Sequence, residues 1–144
     1  MPEATFYQLP DTLQDKAQQL TAICRVIQKI YQVAGGAGIL CASQKATEEL
    51  DRLLWVFNQG SFIPHMIAPT EEPVCLGIEL KHMPAHKVLI LTLDTLPAEL
   101  LNNPSFTRLV DFIPPDTAAV TAARKRYRQF KALGYQMTVH QLAT

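Results

Sequence analysis

The spacing of apolar residues along the chain predicts helices that alternate with strands. A segment of strand composition at Ala4–Leu9 is followed by Asp11, with Gln14 three residues later as in a capping box. Apolar residues then keep three- and four-residue spacing as far as Gly35, where a left-handed backbone easily ends a helix. We therefore expect one long amphipathic helix that begins at Asp11 and ends at Gly35.

A second strand and helix follow in the same way. Gly38–Ala42 is short and apolar, and Ser43 is placed to cap the helix after it. The buried stripe of that helix would consist of Leu50, Leu53, Leu54 and Phe57. Trp55 shares the other side with Glu48 and Asp51, so it points outward unless a neighbouring loop covers it. Outward tryptophans often mark contact surfaces.

The second half of the chain continues the alternation. Proline is frequent between residues 60 and 86, which favours loops and short strands. The elements expected after it are a strand over Val88–Leu93, a short helix over Pro97–Leu101, a strand over Arg108–Ile113, a helix from Asp116 to Leu133 and a strand within Tyr135–Leu142. This order predicts an α/β protein with three layers, α/β/α, around a mostly parallel central sheet.

Length and composition are those of one domain over residues 1–144, because 144 residues with 48% hydrophobic content can build one core. No apolar run reaches membrane-spanning length and no secretory leader is evident, so we expect a cytoplasmic protein that contacts no membrane. Cys24, Cys41 and Cys75 are odd in number and lie among apolar neighbours. We expect buried, reduced thiols.

The glycines do not form a phosphate-binding loop. Gly35, Gly36 and Gly38 follow a helix and precede a strand, which is the reverse of the order that aims a helix N-terminus at a phosphate. Neither a P-loop nor a Gly-x-Gly-x-x-Gly motif occurs after the first strand. We expect a Rossmann-like topology that binds no nucleotide and no other cofactor.

Signals for metal binding and catalysis are weak. His82 and His86 have ligand spacing, but Pro84 between them disrupts a regular helix and no third ligand is suitably spaced. Ser61 and His65 lie close in sequence, but no Gly-x-Ser-x-Gly turn surrounds the serine. We therefore expect no metal site, no catalytic residue and no enzymatic activity.

Charge divides the chain into two unlike regions. Residues 117–144 contain five cations and no carboxylate, whereas residues 1–116 contain eight cations and thirteen acids. The formal net charge of zero thus hides regions of about −5 and +5. Such asymmetry indicates an anionic partner, which could be a nucleic acid or an acidic peptide.

The five cations lie on the last predicted helix. At 100° per residue, Arg124, Tyr127, Arg128 and Lys131 share one arc about 100° wide, opposite the apolar face. Arg126 falls among the apolar positions, so we expect it to reach an internal acid or carbonyl. The arc could be a binding surface, or a solvated helix face whose cations complement the helix dipole.

Several segments in a fixed order match one family. They are Ala4-Thr5-Phe6-Tyr7, Leu50-Asp51 with Leu54-Trp55, Ser61-Phe62-Ile63-Pro64-His65, Val110-Asp111-Phe112-Ile113-Pro114, and Ala123-Arg124-Lys125-Arg126-Tyr127 leading to Gly134-Tyr135. In these segments the chain resembles the chi subunit of bacterial DNA polymerase III holoenzyme, and residues 68–86 match least. The resemblance implies a non-catalytic accessory protein of the clamp-loader assembly with a nucleotide-fold-like sheet that has lost nucleotide binding.

The resemblance also implies two partners. In that family, chi binds the acidic C-terminal tail of single-stranded DNA-binding protein, which ends in Pro-Phe with a free carboxylate. It joins the clamp loader through the psi subunit, where the organism has one. Carried over by position, the tail-contacting residues are Arg124, Tyr127, Arg128 and Lys131, with Phe62 and Ile113 lining an apolar pocket and Trp55 beside it.

One position departs from the family pattern. A basic residue expected a turn before Arg124 is Val120 in this chain, so the acidic part of the tail would be held less strongly at that end. The alternative function is a module that binds single-stranded nucleic acid directly along the same cations. The negative balance of residues 1–116 opposes that alternative, and we expect no direct nucleic-acid contact.

Overall fold

The computed structural model describes residues 2–60, 62–84, 88–102 and 106–142. Strands and helices alternate along them. The elements are β1 (Glu3–Gln8), α1 (Lys16–Ala34), β2 (Ala37–Cys41), α2 (Gln44–Val56), β3 (His65–Ile67), β4 (Val74–Gly77), a 3₁₀ turn (Leu80–His82), β5 (Val88–Thr92), α3 (Ala98–Asn102), β6 (Arg108–Ile113), α4 (Thr117–Ala132) and β7 (Gln136–Gln141). The predicted order of elements is confirmed.

The seven strands form one sheet in the order β3-β4-β2-β5-β6-β1-β7. Every strand pair is parallel, whereas the sequence predicted a mostly parallel sheet. In the register of the last strands, Tyr7 pairs with Phe112 on one side and with His140 on the other. Because the strands are parallel, all their carboxyl ends lie at one edge of the sheet.

Helices cover both faces of the sheet and complete the three layers. One core joins α1 and α2 to the sheet through residues such as Ile27, Leu54 and Ile90. The other joins α3 and α4 to the opposite face through Leu89 and Phe130. Consecutive residues of β5 therefore enter different cores, which explains why this strand is apolar throughout. The predicted α/β/α fold is confirmed.

The predicted start of α1 is wrong by about four residues. Asp15 is the N-cap, and its carboxylate accepts a hydrogen bond from the Ala17 N–H at 2.8 Å. The side chain of Gln14 instead donates to the carbonyl of Asp11, so the capping-box-like residues close a turn before the helix. The predicted end is confirmed, because Gly35 has φ of 81°.

The predicted starts of α2 and α4 are confirmed. Ser43 caps α2 by accepting a hydrogen bond from the Ala46 N–H, and Asp116 caps α4 by accepting one from the Ala119 N–H. Gly134 follows α4 with φ of 93°. These caps and stops are local, so they fix the helix boundaries without information about the rest of the fold.

The three cysteines are buried and free, as predicted. Burial raises the pKa of the Cys24 thiol to about 12 and raises the pKa values of Cys41 and Cys75 as well. The thiolate form, which is the reactive form, is therefore disfavoured at all three positions.

Candidate functional site

Arg126 fixes the orientation of α4. Its side chain is buried, and its Nε and Nη2 donate to the two carboxylate oxygens of Asp111 at 2.8 and 3.1 Å. Nη1 and Nη2 also donate to the carbonyls of Asp94 and Phe112. The prediction that Arg126 reaches an internal acid or carbonyl is confirmed on both counts.

The acid that pairs with Arg126 is itself buried. Desolvation raises the pKa of Asp111 to about 6, although Arg126 and the Phe112 N–H oppose the increase by stabilising the carboxylate. The Phe112 N–H donates to Asp111 Oδ1 at 2.7 Å. At neutral pH Asp111 therefore remains ionised, and the pair holds α4 against β6.

A groove lies between α4 and the carboxyl ends of β6, β1 and β7. Its volume is about 260 Å³, and its lining residues are Gln8, Ile113, Val120, Ala123, Arg124, Tyr127 and Val139. We call it the α4 groove. Val139 is 48% exposed, although it is apolar. The volume is below the 300 to 1,000 Å³ typical of small-molecule pockets, so the groove suits one side chain of a larger partner.

Tyr127 is held in place from below. Its ring meets the ring of Phe6 in an edge-to-face arrangement with centroids 5.5 Å apart. Phe6 in turn packs against Phe130 in the core, with ring centroids 6.3 Å apart. One side of the Tyr127 ring is therefore fixed, and the partly exposed remainder forms a wall of the α4 groove.

Exposed cations lie on α4 both at the α4 groove and further along the helix. Arg124 lines the groove, and Arg128 and Lys131 are exposed further along α4. Among the described residues, none of the three forms an ion pair. No carboxylate occurs in α4 itself. The predicted arc of cations thus lies at the surface beside an apolar groove, with Ile113 and Tyr127 in the groove wall.

Phe62 and Trp55 lie elsewhere, and the expectation that Phe62 and Ile113 line one pocket is wrong. Phe62 precedes the amino end of β3, whereas Ile113 is the last residue of β6, at the carboxyl edge. Three strands separate β3 from β6, about 19 Å at the usual strand spacing. Trp55 belongs to α2, on the sheet face opposite α4.

Trp55 and Phe62 form their own surface, which we call the aromatic patch. They are 52% and 69% exposed, and their ring centroids lie 6.1 Å apart. The expectation that Trp55 points outward is confirmed. Beneath it, the His65 ring lies with its centroid 4.3 Å from that of Trp55. The aromatic patch is an apolar contact surface distinct from the α4 groove.

The burial of His65 was missed from the sequence. Its Nδ1 lies 2.6 Å from the carbonyl oxygen of Ile63, and its Nε2 lies 2.9 Å from that of Asp51. Ile63, His65 and Ile67 alternate with more exposed residues. That two-residue period marks one side of a strand and could have revealed the inward position.

The remaining sequence candidates are a possible metal-binding pair of histidines and a possible serine–histidine pair. Within the described part of the chain, no group of three His, Cys, Asp or Glu side chains could hold a metal ion. His86 of the possible histidine pair and Ser61 of the possible serine–histidine pair lie outside the described residues. Among the helices of the described ranges, none is long and apolar enough to cross a membrane.

Comparison with known proteins gives one consistent result. The family model described as DNA polymerase III chi subunit, HolC, matches residues 1–138. The chain belongs to this family. A protein named DNA polymerase III subunit chi in Pseudomonas aeruginosa is 32% identical over 99% of this chain and 98% of its own length. Proteins of the same name in Escherichia coli and Haemophilus influenzae are 28% and 26% identical, over 95% and 94% of this chain and 96% and 94% of their own lengths.

Family membership confirms the resemblance that the short segments indicated. The chain is therefore a member of the chi-subunit family of DNA polymerase III, whose work is DNA replication. The matched range contains the α4 groove apart from Val139, and it contains the whole aromatic patch. The chain thus has two separate surfaces, the α4 groove and the aromatic patch, each of which could bind a partner.

Proposed function

We propose that this chi-family chain is a non-catalytic subunit that binds the acidic C-terminal tail of single-stranded DNA-binding protein in the α4 groove. The observation that carries the proposal is the meeting of an apolar groove with cations that have no ion-pair partner among the described residues. A peptide that ends in Phe with a free carboxylate matches both features, because its apolar ring suits the groove and its negative charge suits the cations.

The groove suits the terminal phenylalanine. Ile113 and Val139 provide an apolar floor, and the fixed ring of Tyr127 provides an aromatic wall. Burying one Phe side chain is worth roughly 1.5 to 3 kcal/mol. Arg124 lies at the same groove, where its planar fork can hold the terminal carboxylate through two parallel hydrogen bonds.

The remaining cations suit the acidic part of the tail. Arg128 and Lys131 extend the positive surface along α4 by about 10 Å, at 1.5 Å per residue. Charge-assisted hydrogen bonds contribute about 1.5 kcal/mol or more each in good geometry, before the cost of ordering the peptide. Together with the buried Phe, the sum corresponds to reversible binding in the micromolar range.

Calorimetry with synthetic tail peptides tests the proposal. The intact peptide should bind, and removing its final Phe should abolish measurable binding. A peptide that keeps the Phe but carries a C-terminal amide should bind at least about tenfold more weakly, because it has no terminal carboxylate for Arg124 to bind through two hydrogen bonds. Equal binding of all three peptides would show that the α4 groove does not recognise the C-terminal residue of the tail.

The aromatic patch supports a second contact, which we assign to the psi subunit. Two exposed aromatic side chains on a helix end and a loop are typical of the centre of a protein–protein interface. The aromatic patch and the α4 groove lie on opposite faces of the sheet, so both partners could be bound at once.

Separate variants test this division. Phe62→Ala should weaken binding to psi while the affinity for the tail peptide stays within about twofold, and Arg124→Ala should have the reverse effect. The two affinities can be measured by titration of purified psi and of the peptide. Loss of peptide binding in Phe62→Ala would contradict the assignment of two surfaces.

A further inference from the structure

A second groove lies on the other face of the same sheet edge. Its volume is about 230 Å³, and its lining residues are Tyr7, Ala22, Arg25, Val26, Lys29, Ile30 and Leu142. We call it the α1 groove. Val26 and Ile30 are buried core residues of α1, whereas Arg25 and Lys29 are exposed. The α1 groove therefore has an apolar floor and a cationic rim, like the α4 groove.

The two grooves are separated by little more than the thickness of the sheet. Gln8 lines the α4 groove and Tyr7, its neighbour on β1, lines the α1 groove. In the same way, Val139 of β7 lines the α4 groove, and Leu142, just after β7, lines the α1 groove. β7 is the last strand of the sheet and is largely exposed, so its outer edge connects the grooves.

The two helices that flank this edge contain cations and no carboxylates. α1 contributes the exposed Arg25 and Lys29, and neither helix nor β7 contains an Asp or Glu. α4 contributes four exposed cations, which are Arg124, Lys125, Arg128 and Lys131. Arg25 and Lys29 are four residues apart and share one side of α1. Neither forms an ion pair with another described residue. The positive surface thus continues from α4 past β7 to α1.

We propose that the acidic segment that precedes the end of the bound tail crosses the outer edge of β7 and is held in the α1 groove by Arg25 and Lys29. This inference rests on the proposed function. An extended peptide advances about 3.3 to 3.6 Å per residue, and adjoining layers of a fold lie about 10 Å apart. Roughly four or five residues therefore suffice to pass from one groove to the other.

Peptide fits this route better than nucleic acid. The exposed edge of β7 offers backbone N–H and carbonyl groups that pair with an extended peptide. Val26, Ile30 and Leu142 accept apolar side chains, which a sugar–phosphate backbone lacks. Residues 1–116 also carry a formal charge of about −5, which opposes a long polyanion more than a short acidic peptide.

Two peptides of different length test the inference. One has only the last six residues of the tail, and the other has the last fifteen. The long peptide should bind the unmodified chain about fivefold more tightly. The double variant Arg25→Glu, Lys29→Glu should remove this gain and leave the affinity for the short peptide within about twofold. A double variant with matched charge, Lys45→Glu, Arg52→Glu on α2, should keep the gain.

The outcomes separate the two claims. If the long peptide has no gain, or keeps it in Arg25→Glu, Lys29→Glu, the route across β7 is wrong although the α4 groove stands. If the short peptide fails to bind the unmodified chain, the proposed function itself is wrong. A single-stranded oligonucleotide that binds tightly and loses affinity in the same double variant would assign the surface to phosphate and overturn the inference. Arg25→Lys, Lys29→Arg should behave as the unmodified chain and shows that charge is what matters.

Discussion

Arg126 and Asp111 form a bidentate ion pair inside the protein, with Nε to Oδ2 at 2.8 Å and Nη2 to Oδ1 at 3.1 Å. The pair joins the middle of α4 to β6 and sets the rotation of the helix about its axis. Arg124, two residues earlier, consequently lies at the α4 groove. One cation of the basic segment stabilises the fold, while its neighbours are free to bind.

Removing one partner of this pair should be strongly destabilising. In Arg126→Ala the carboxylate of Asp111 would remain buried without its counter-charge, so we expect a loss of about 3 to 5 kcal/mol in the free energy of unfolding. Urea denaturation measures this loss. Arg124→Ala is the control, and its stability should change by less than about 0.5 kcal/mol. Similar stabilities of the two variants would show that the internal pair contributes little.

Removing the binding groups of the α4 groove should weaken the tail complex without unfolding the chain. Arg124→Ala and Tyr127→Ala should each lower the affinity for the tail peptide at least about tenfold, or roughly 1.4 kcal/mol. Calorimetry at constant salt measures the change. Lys125→Ala removes an adjacent exposed cation that does not line the groove and should retain nearly full affinity. Unchanged affinity in both groove variants would remove this site.

Val120 offers a way to strengthen the complex. It lines the α4 groove one turn before Arg124, at the position where the resemblance led us to expect a basic residue. Val120→Lys should tighten peptide binding about threefold, mainly through a faster association rate that falls as salt is added. Stopped-flow measurements at two salt concentrations would show this. A slower association rate would mean that the acidic residues do not pass this end of the groove.

The buried thiols should resist modification in the folded chain. Because burial raises the pKa of Cys24 to about 12 and raises those of Cys41 and Cys75, little thiolate forms at neutral pH. A thiol reagent should therefore react slowly with the native chain and rapidly in denaturant. The stability that comes from keeping Cys24 protonated is present below about pH 9 and is lost as the pH rises toward 12. Fast native reaction at pH 7.5 would show that a thiol is accessible.

Local signals predicted most of the fold and the basic half of the site. Helix caps such as Ser43 and stops such as Gly134 act within a few residues, and helical spacing alone placed Arg126 inward. The start of α1 was misplaced because Asp11 and Asp15 are both good caps, and only the folded chain shows which carboxylate meets a free N–H. The arc on α4 was predictable because one helix supplies all its members.

The spacing of residues along the sequence could not show whether Phe62 and Ile113 lie in one pocket. Whether their strands are neighbours depends on the order β3-β4-β2-β5-β6, which is a property of the whole sheet. Aromatic residues that belong to one family pattern need not belong to one site. The structure therefore separated a single predicted pocket into the α4 groove and the aromatic patch.

The most direct test of the central claim is a crystal structure of the chain with the tail peptide bound. We predict that the terminal Phe side chain occupies the α4 groove between Ile113, Tyr127 and Val139, and that its carboxylate contacts Arg124. The alternative location is easily distinguished, because the aromatic patch lies on the other face of the sheet. Peptide bound against Trp55 and Phe62, with the α4 groove empty, would contradict the account.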